Sequence, residues 1–194
     1  MTGYDKTTAL IVVDLQNDFA DPSGSLHVDG GEEVVASANH EIIRAASAGA
    51  FVVYTQDWHP ESTPHFEKDG GNWPVHCVKG TWGAELHPRL VVVGPIVRKG
   101  SNGEDGYSGF FMRDPETGEE KPTALKELLD DRGIHKTVIV GLALDVCVRA
   151  TSLDAAEHGF ATTLVRGASA PVEIEEGDGE RAVEEMTEAG ISIQ

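Results

Sequence analysis

The stretch Thr8-Ala9-Leu10-Ile11-Val12-Val13, followed by Asp14, decides the fold. It is a near-continuous apolar run with no polar alternation, as expected of a strand buried on both faces of a parallel sheet. Outward from it, residues 32–48 place Val34, Val35, Ala38, Ile42 and Ala45 at helical spacing, and Gly49 supplies a C-terminal stop. Phe51-Val52-Val53-Tyr54-Thr55 reads as a second strand. Leu90-Val91-Val92-Val93 and Ile96-Val97-Arg98, broken by Gly94-Pro95, read as a third strand region. The pattern continues with a helix over about 124–129, and a strand Thr137-Val138-Ile139-Val140 that Gly141 ends. A helix over about 146–158, a strand over 162–165, a helix over 181–188 and a short strand over 191–193 complete it. Strand and helix in alternation predict an α/β three-layer sandwich with a mainly parallel central sheet.

The chain has 194 residues, which suits a single domain spanning 1–194. Hydrophobic residues make up 40% and charged residues 25%, so a disordered chain is excluded. Lys and Arg total 15 against 33 Asp and Glu, a formal charge of −18. Such a surface repels nucleic acid and anionic membranes, and neither is expected as a partner. No apolar run approaches the ~20 residues of a membrane span. The N-terminus carries Asp5 and Lys6 rather than a basic region followed by an apolar one, so no secretory signal is visible. Two cysteines, Cys77 and Cys147, are too few for a disulfide scaffold, and a reducing, cytoplasmic location is the expectation.

Two long irregular stretches, 57–87 and 99–121, each follow a strand. In an open α/β sheet, sites gather beyond the carboxyl ends of the strands, so these loops fall where a site belongs. Asp14 stands at the end of the first strand, where a carboxylate is costly unless it is paired or has chemical work to do. As a lone residue it reads equally well as a cap or loop organiser. Asp57, His59, His65 and His76 fall within twenty residues. Imidazole nitrogens with a carboxylate oxygen suit Zn²⁺, and equally Fe²⁺ or Mn²⁺. One loop histidine alone would mean an ordinary hydrogen bond; four donors in one loop favour a metal. Cys147 opens a helix after a strand, where backbone N–H groups stabilise a thiolate or an oxyanion. Cys77 lacks that position and reads as a small buried hydrophobe. Lys99 ends a strand before a glycine; it can orient a carboxylate or hold a thiolate's charge, or else be a solvated surface lysine.

The pieces ALIVVDLQNDF (9–19), TQDWHP (55–60) with His65, and NWPVHCVKGTWGAELHP (72–88) then add to one another. With RKG (98–100), YSGF (107–110) and VGLALDVCVRAT (140–151), their order and spacing resemble the nicotinamidases of the isochorismatase-like cysteine hydrolase family along essentially the whole chain. The resemblance implies the isochorismatase-like hydrolase fold and hydrolysis of nicotinamide to nicotinate and ammonia through a cysteine thioester, with pyrazinamide as a further substrate. It implies an Asp14, Lys99 and Cys147 triad, and one divalent metal ion held by Asp57, His59, His65 and His76, zinc first, with iron or manganese as alternatives. It implies a cis Leu142–Ala143 peptide and an oxyanion hole from the backbone N–H groups of Ala143 and Cys147. Phe19, Trp73, Tyr107 and Leu142 match positions that bind the substrate. The small-molecule substrate is the expected partner, and a homo-oligomer remains open.

Two features depart from the pattern. Leu144 stands where many similar proteins carry Thr, and the acidic stretch 105–121 has no legible role. Another amide or carbamoyl hydrolase of the same fold is the alternative function. A non-catalytic binding protein is weaker, because Asp14, Lys99 and Cys147 are all present. A metal-only hydrolase in which Cys147 is merely structural would be separated by stoichiometric alkylation of the thiol.

Overall fold

The computed structural model describes residues 3–194. All six residues of the first strand, β1 (Thr8–Val13), are buried. A short helix α1 (Asn17–Ala20) and the long helix α2 (Gly31–Ser47) lead to β2 (Phe51–Asp57). After an extended loop come β3 (Ile96–Lys99) and a hairpin of β4 (Phe111–Arg113) with β5 (Glu120–Pro122). The second half comprises α3 (Leu125–Asp130), β6 (Lys136–Leu142), a π-helical turn (Leu144–Val148) and α4 (Arg149–Glu157). It closes with β7 (Ala161–Ala170), α5 (Asp178–Glu188) and β8 (Ser192–Ile193).

Six strands form one sheet in the order β3-β2-β1-β6-β7-β8, every neighbouring pair parallel. Alternation along β1 explains the three layers. Leu10 and Val12 join Val34, Ala38, Ile42 and Ala45 of α2 on one face. Ala9, Ile11 and Val13 join Leu125 and Leu129 of α3, Ala155 of α4 and Met186 of α5 on the other. Each face of a strand therefore has its own helical cover, which is why the run is apolar throughout. The order reverses between β1 and β6, whose carboxyl ends lie side by side with Val13 opposite Gly141. That is the switch point where ligands bind in open α/β sheets.

The structure departs from the sequence reading at defined places. Residues 90–93 form no strand, and Val91, Val92 and Val93 are exposed. Tyr54 holds this segment instead: its hydroxyl donates to Val91 O at 2.8 Å and accepts from Val93 N at 3.2 Å. Gly141 does not end β6, which runs on to Leu142 through a register shift against β7. The expected helix over 146–158 is a π-helical turn followed by α4. The hairpin β4–β5 was not legible, since its three-residue strands carry no apolar alternation. Among the described residues, no helix is long and apolar enough to cross a membrane.

Candidate active site

Four strand ends supply the charged centre. Asp14 follows β1 in a left-handed conformation (φ 48°), unusual for a residue with a side chain and concentrated at functional sites. Its side chain is fully buried; Oδ1 accepts a hydrogen bond from Thr55 Oγ1 at 2.6 Å, and Oδ2 lies 2.7 Å from Lys99 Nζ. Asp57 and Lys99 are register partners at the ends of β2 and β3. Lys99 Nζ donates to Asp57 Oδ1 and to Gly106 O, and lies 3.9 Å from Cys147 Sγ. A carboxylate oxygen of Asp14, one of Asp57 and the Cys147 sulfur all lie within 4.8 Å of one another. The structure thus brings Asp14, Lys99 and Cys147 together from three separate strand ends.

Burial sets the protonation of this cluster. It pushes the Asp14 carboxyl up to about 6, against the pull of Lys99. It also pushes the Cys147 thiol well up, again opposed by Lys99. Burial disfavours the Lys99 charge, but Asp14 and Asp57 outweigh it and hold the ammonium well above its ordinary value. Burial likewise works against the Asp57 carboxylate, yet Lys99 and His59 hold its pKa well below the usual range. Burial thus favours the thiol form of Cys147, and the Lys99 ammonium bridges Asp14 and Asp57.

Beside this cluster stand three buried imidazoles. One nitrogen from each of His59, His65 and His76 lies within 4.8 Å of the others. Asp57 turns its second oxygen towards them, with Oδ2 3.8 Å from His59 Nε2 and 4.0 Å from His76 Nε2. Both ring nitrogens of His59 are buried without a hydrogen-bond partner. An orphaned polar atom costs on the order of 1–3 kcal/mol, so the ring calls for a ligand. His76 Nδ1 donates to Pro74 O at 2.7 Å, and burial lowers the His76 pKa to about 4, keeping the ring neutral and Nε2 free to coordinate. Three imidazoles and one carboxylate fit a divalent cation. Asp57 thereby touches both groups of residues.

A pocket opens onto both. Phe19, Trp73, Tyr107, Ala143 and Cys147 line it with Asp57, His65 and His76. Trp73 Nε1 donates to the Tyr107 hydroxyl at 2.9 Å, tying two loops into one wall. The Leu142–Ala143 peptide is cis. Leu142 itself corrects the sequence reading: its side chain is fully buried with Val138 and Val140 in the core facing α2, because alternation along β6 points it there. Ala143 takes the place at the pocket wall.

Sequence reasoning missed Leu26, Val28, Val146 and Val172, which complete the apolar wall. Val172 stands just beyond the carboxyl end of β7, and that position was the available signal. It missed Asp145 too, whose carboxylate accepts from Val172 N at 2.9 Å and Glu173 N at 2.8 Å and so pins the wall beside Cys147.

Comparison with known proteins agrees with this geometry. The Isochorismatase domain family matches residues 8–193. The chain is 35% identical to the nicotinamidase of Escherichia coli (strain K12), over 95% of this chain and 93% of that protein. Its structure superposes on the pyrazinamidase of Pyrococcus horikoshii in complex with zinc with a TM-score of 0.86, at 40% identity over 97% and 98% of the two chains. PnC1 from L. infantum in complex with nicotinate gives a TM-score of 0.88, at 35% identity over 100% and 95%. With one family spanning the chain from β1 to β8 and relatives alike over nearly their whole length, the chain belongs to the isochorismatase family.

Proposed function

We propose that this protein is a nicotinamidase, hydrolysing nicotinamide to nicotinate and ammonia through a thioester on Cys147. The observation that carries the reading is a single pocket whose wall holds both the Cys147 sulfur and the His65 and His76 rings. A flat heteroaromatic amide has a ring nitrogen for one side and a carboxamide carbon for the other. The activities and bound nicotinate named for the similar proteins support the same substrate.

In the proposed reaction Asp14 takes the Cys147 proton, and the sulfur attacks the carboxamide carbon. The C–S bond forms as the carbonyl electron pair moves to oxygen, where the N–H groups of Ala143 and Cys147 hold it. A lost donor of this kind costs about 2.7–4 kcal/mol. The C–N bond then breaks, the nitrogen takes the proton back from Asp14, and ammonia leaves a thioester. Water gives a proton to Asp14 and attacks the thioester carbon. The C–S bond breaks, Asp14 returns the proton to the thiolate, and the acid so formed loses its proton to solvent and departs as nicotinate. Lys99 holds Asp14 in place and lessens the cost of negative charge on sulfur.

Asp57, His59, His65 and His76 are the proposed holders of a divalent ion, which when bound supplies a Lewis-acid contact for the ring nitrogen and so orients the ring. Zinc is proposed first, on the nitrogen-rich donor set and the zinc-bound neighbour, with iron or manganese as alternatives. Pyrazinamide is a proposed second substrate, since one of its ring nitrogens stands in the same relation to the carboxamide. Ammonia release from nicotinamide, pyrazinamide, carbamoylsarcosine and ureidoacrylate tests the reading. Nicotinamide is expected to lead, and hydroxylamine to trap the acyl group as the hydroxamate. Faster turnover of either carbamoyl compound would overturn the substrate assignment.

A further inference from the structure

Asp105 opens the acidic stretch whose role the sequence did not reveal, and it touches the candidate metal site. Its Oδ1 lies 2.6 Å from His65 Nδ1. A carboxylate can only accept, so the proton belongs on Nδ1 and the Nε2 lone pair is left for a ligand. His76 is oriented by a neutral carbonyl and His59 by no hydrogen bond at all. His65 is thus the ligand candidate held by a charged group.

The backbone of Asp105 is itself anchored. Asp105 N donates to Arg113 O at 2.7 Å, and Arg113 N donates to Asp105 O at 3.0 Å, which fastens the residue to β4. Its neighbour Gly106 receives Lys99 Nζ on its carbonyl, and a Cβ there would stand 3.0 Å from Asp57 Oδ1 and 3.2 Å from Lys99 Cγ. Tyr107 follows in the pocket wall. Three successive residues thereby reach a histidine, the buried lysine and the pocket.

We propose that Asp105 is a positioning residue: its carboxylate fixes His65 as the Nδ1–H tautomer and aims Nε2 into the metal site, so that the β4–β5 hairpin helps set the affinity for the ion. The inference rests on the reading of His65 as a ligand. Outer-shell carboxylates of this type typically contribute 10–100-fold to metal affinity.

The test measures Zn²⁺ affinity by competition with a chromophoric chelator, for the wild type and for Asp105→Ala, Asp105→Asn and His65→Ala. Nitrogen-15 spectra of the metal-free protein report the His65 tautomer. Asp105→Ala is expected to weaken Zn²⁺ binding about 10–100-fold. Asp105→Asn is expected to weaken it less, because the amide oxygen still accepts from Nδ1 but carries no charge. The wild type is expected to show His65 with its proton on Nδ1, and Asp105→Ala a mixture of tautomers. If Asp105→Ala does not fold, the affinity and spectrum of Asp105→Asn decide the matter. Wild-type affinity in the Asp105 variants, with binding lost in His65→Ala, would overturn the positioning role and leave the metal reading intact. Wild-type affinity in His65→Ala would overturn the ligand reading and this inference with it. A metal-free wild type with the His65 proton on Nε2 would overturn the inference whatever the affinities.

Discussion

Lys99 is fully buried yet charged, and it holds that state because Asp14 and Asp57 flank its ammonium. The same ammonium stands 3.9 Å from Cys147 Sγ and opposes the burial that raises the thiol pKa. Removing it in Lys99→Ala should raise that pKa further. Iodoacetamide labelling of Cys147 at neutral pH should slow about tenfold for each unit of the rise. An unchanged labelling profile would remove Lys99 from the cluster. Cys147→Ala should lower kcat on nicotinamide by about 10⁶-fold, the scale seen when a nucleophile is deleted. Cys77→Ala should keep most of the activity, because that sulfur is buried against Gly83 O, away from the pocket. Comparable ammonia release by Cys147→Ala and the wild type would end the thioester route. Asp14 must be ionised to accept the proton, and burial raises its pKa to about 6. Activity should therefore be lost as pH falls through about 6, rather than near 4 as for an ordinary carboxylate, and the acid limb of kcat/KM reads this out.

The elements show which parts of this arrangement a sequence can carry. The apolar run of β1 reads as a strand buried twice over with Asp14 at its end, and the runs 96–98 and 137–140 place Lys99 and Cys147 beyond strands of their own. What stayed illegible depends on contacts between distant segments. Val91 to Val93 have the β-branched composition of a strand, but Tyr54 takes their backbone groups with its hydroxyl and leaves their side chains outside. Leu142 matched a substrate position, whereas the register of β6 turns it into the core. Asp105 could not be connected to His65 from spacing, since forty residues separate them. Gly141 reads in the sequence as a strand terminator but is needed for close approach: at φ 124°, a Cβ there would run into the carbonyl oxygen of Val13. Gly141→Ala should cost at least about 1–3 kcal/mol in urea unfolding, from backbone strain alone. It should also depress kcat, because the turn bearing Ala143 and Cys147 would shift away from Asp14. Full stability and activity in that variant would mean that the two strand ends can separate freely.

At the scale of the molecule, the proposed metal ligands are Asp57, which ends β2, and His59, His65 and His76 of the loop that follows, and Asp57, His65 and His76 close one side of the pocket. One nitrogen from each of the three imidazoles lies within 4.8 Å of the others, and neither His59 nitrogen has a hydrogen-bond partner. An ion bound only by the folded chain stabilises it by RT ln(1 + [L]/Kd), about 2.7 kcal/mol at a hundredfold excess over Kd. For a chain of this length each kcal/mol moves Tm by about 2–4 °C, so saturation with Zn²⁺ should raise Tm by roughly 5–11 °C over the chelated protein. His59→Ala should abolish most of that shift, while Cys147→Ala, whose sulfur belongs to the neighbouring cluster, should retain it. Substrate recognition should follow the same ion. Benzamide presents the carboxamide without a ring nitrogen, so its hydrolysis should be slow and nearly unchanged by chelation, whereas nicotinamide hydrolysis should collapse on chelation and return with metal. If metal-loaded enzyme turned over both amides equally well, the ring would not be meeting the ion. A retained thermal shift would then assign the metal to the stability of the loop, and its loss would leave the four residues without a cation to hold.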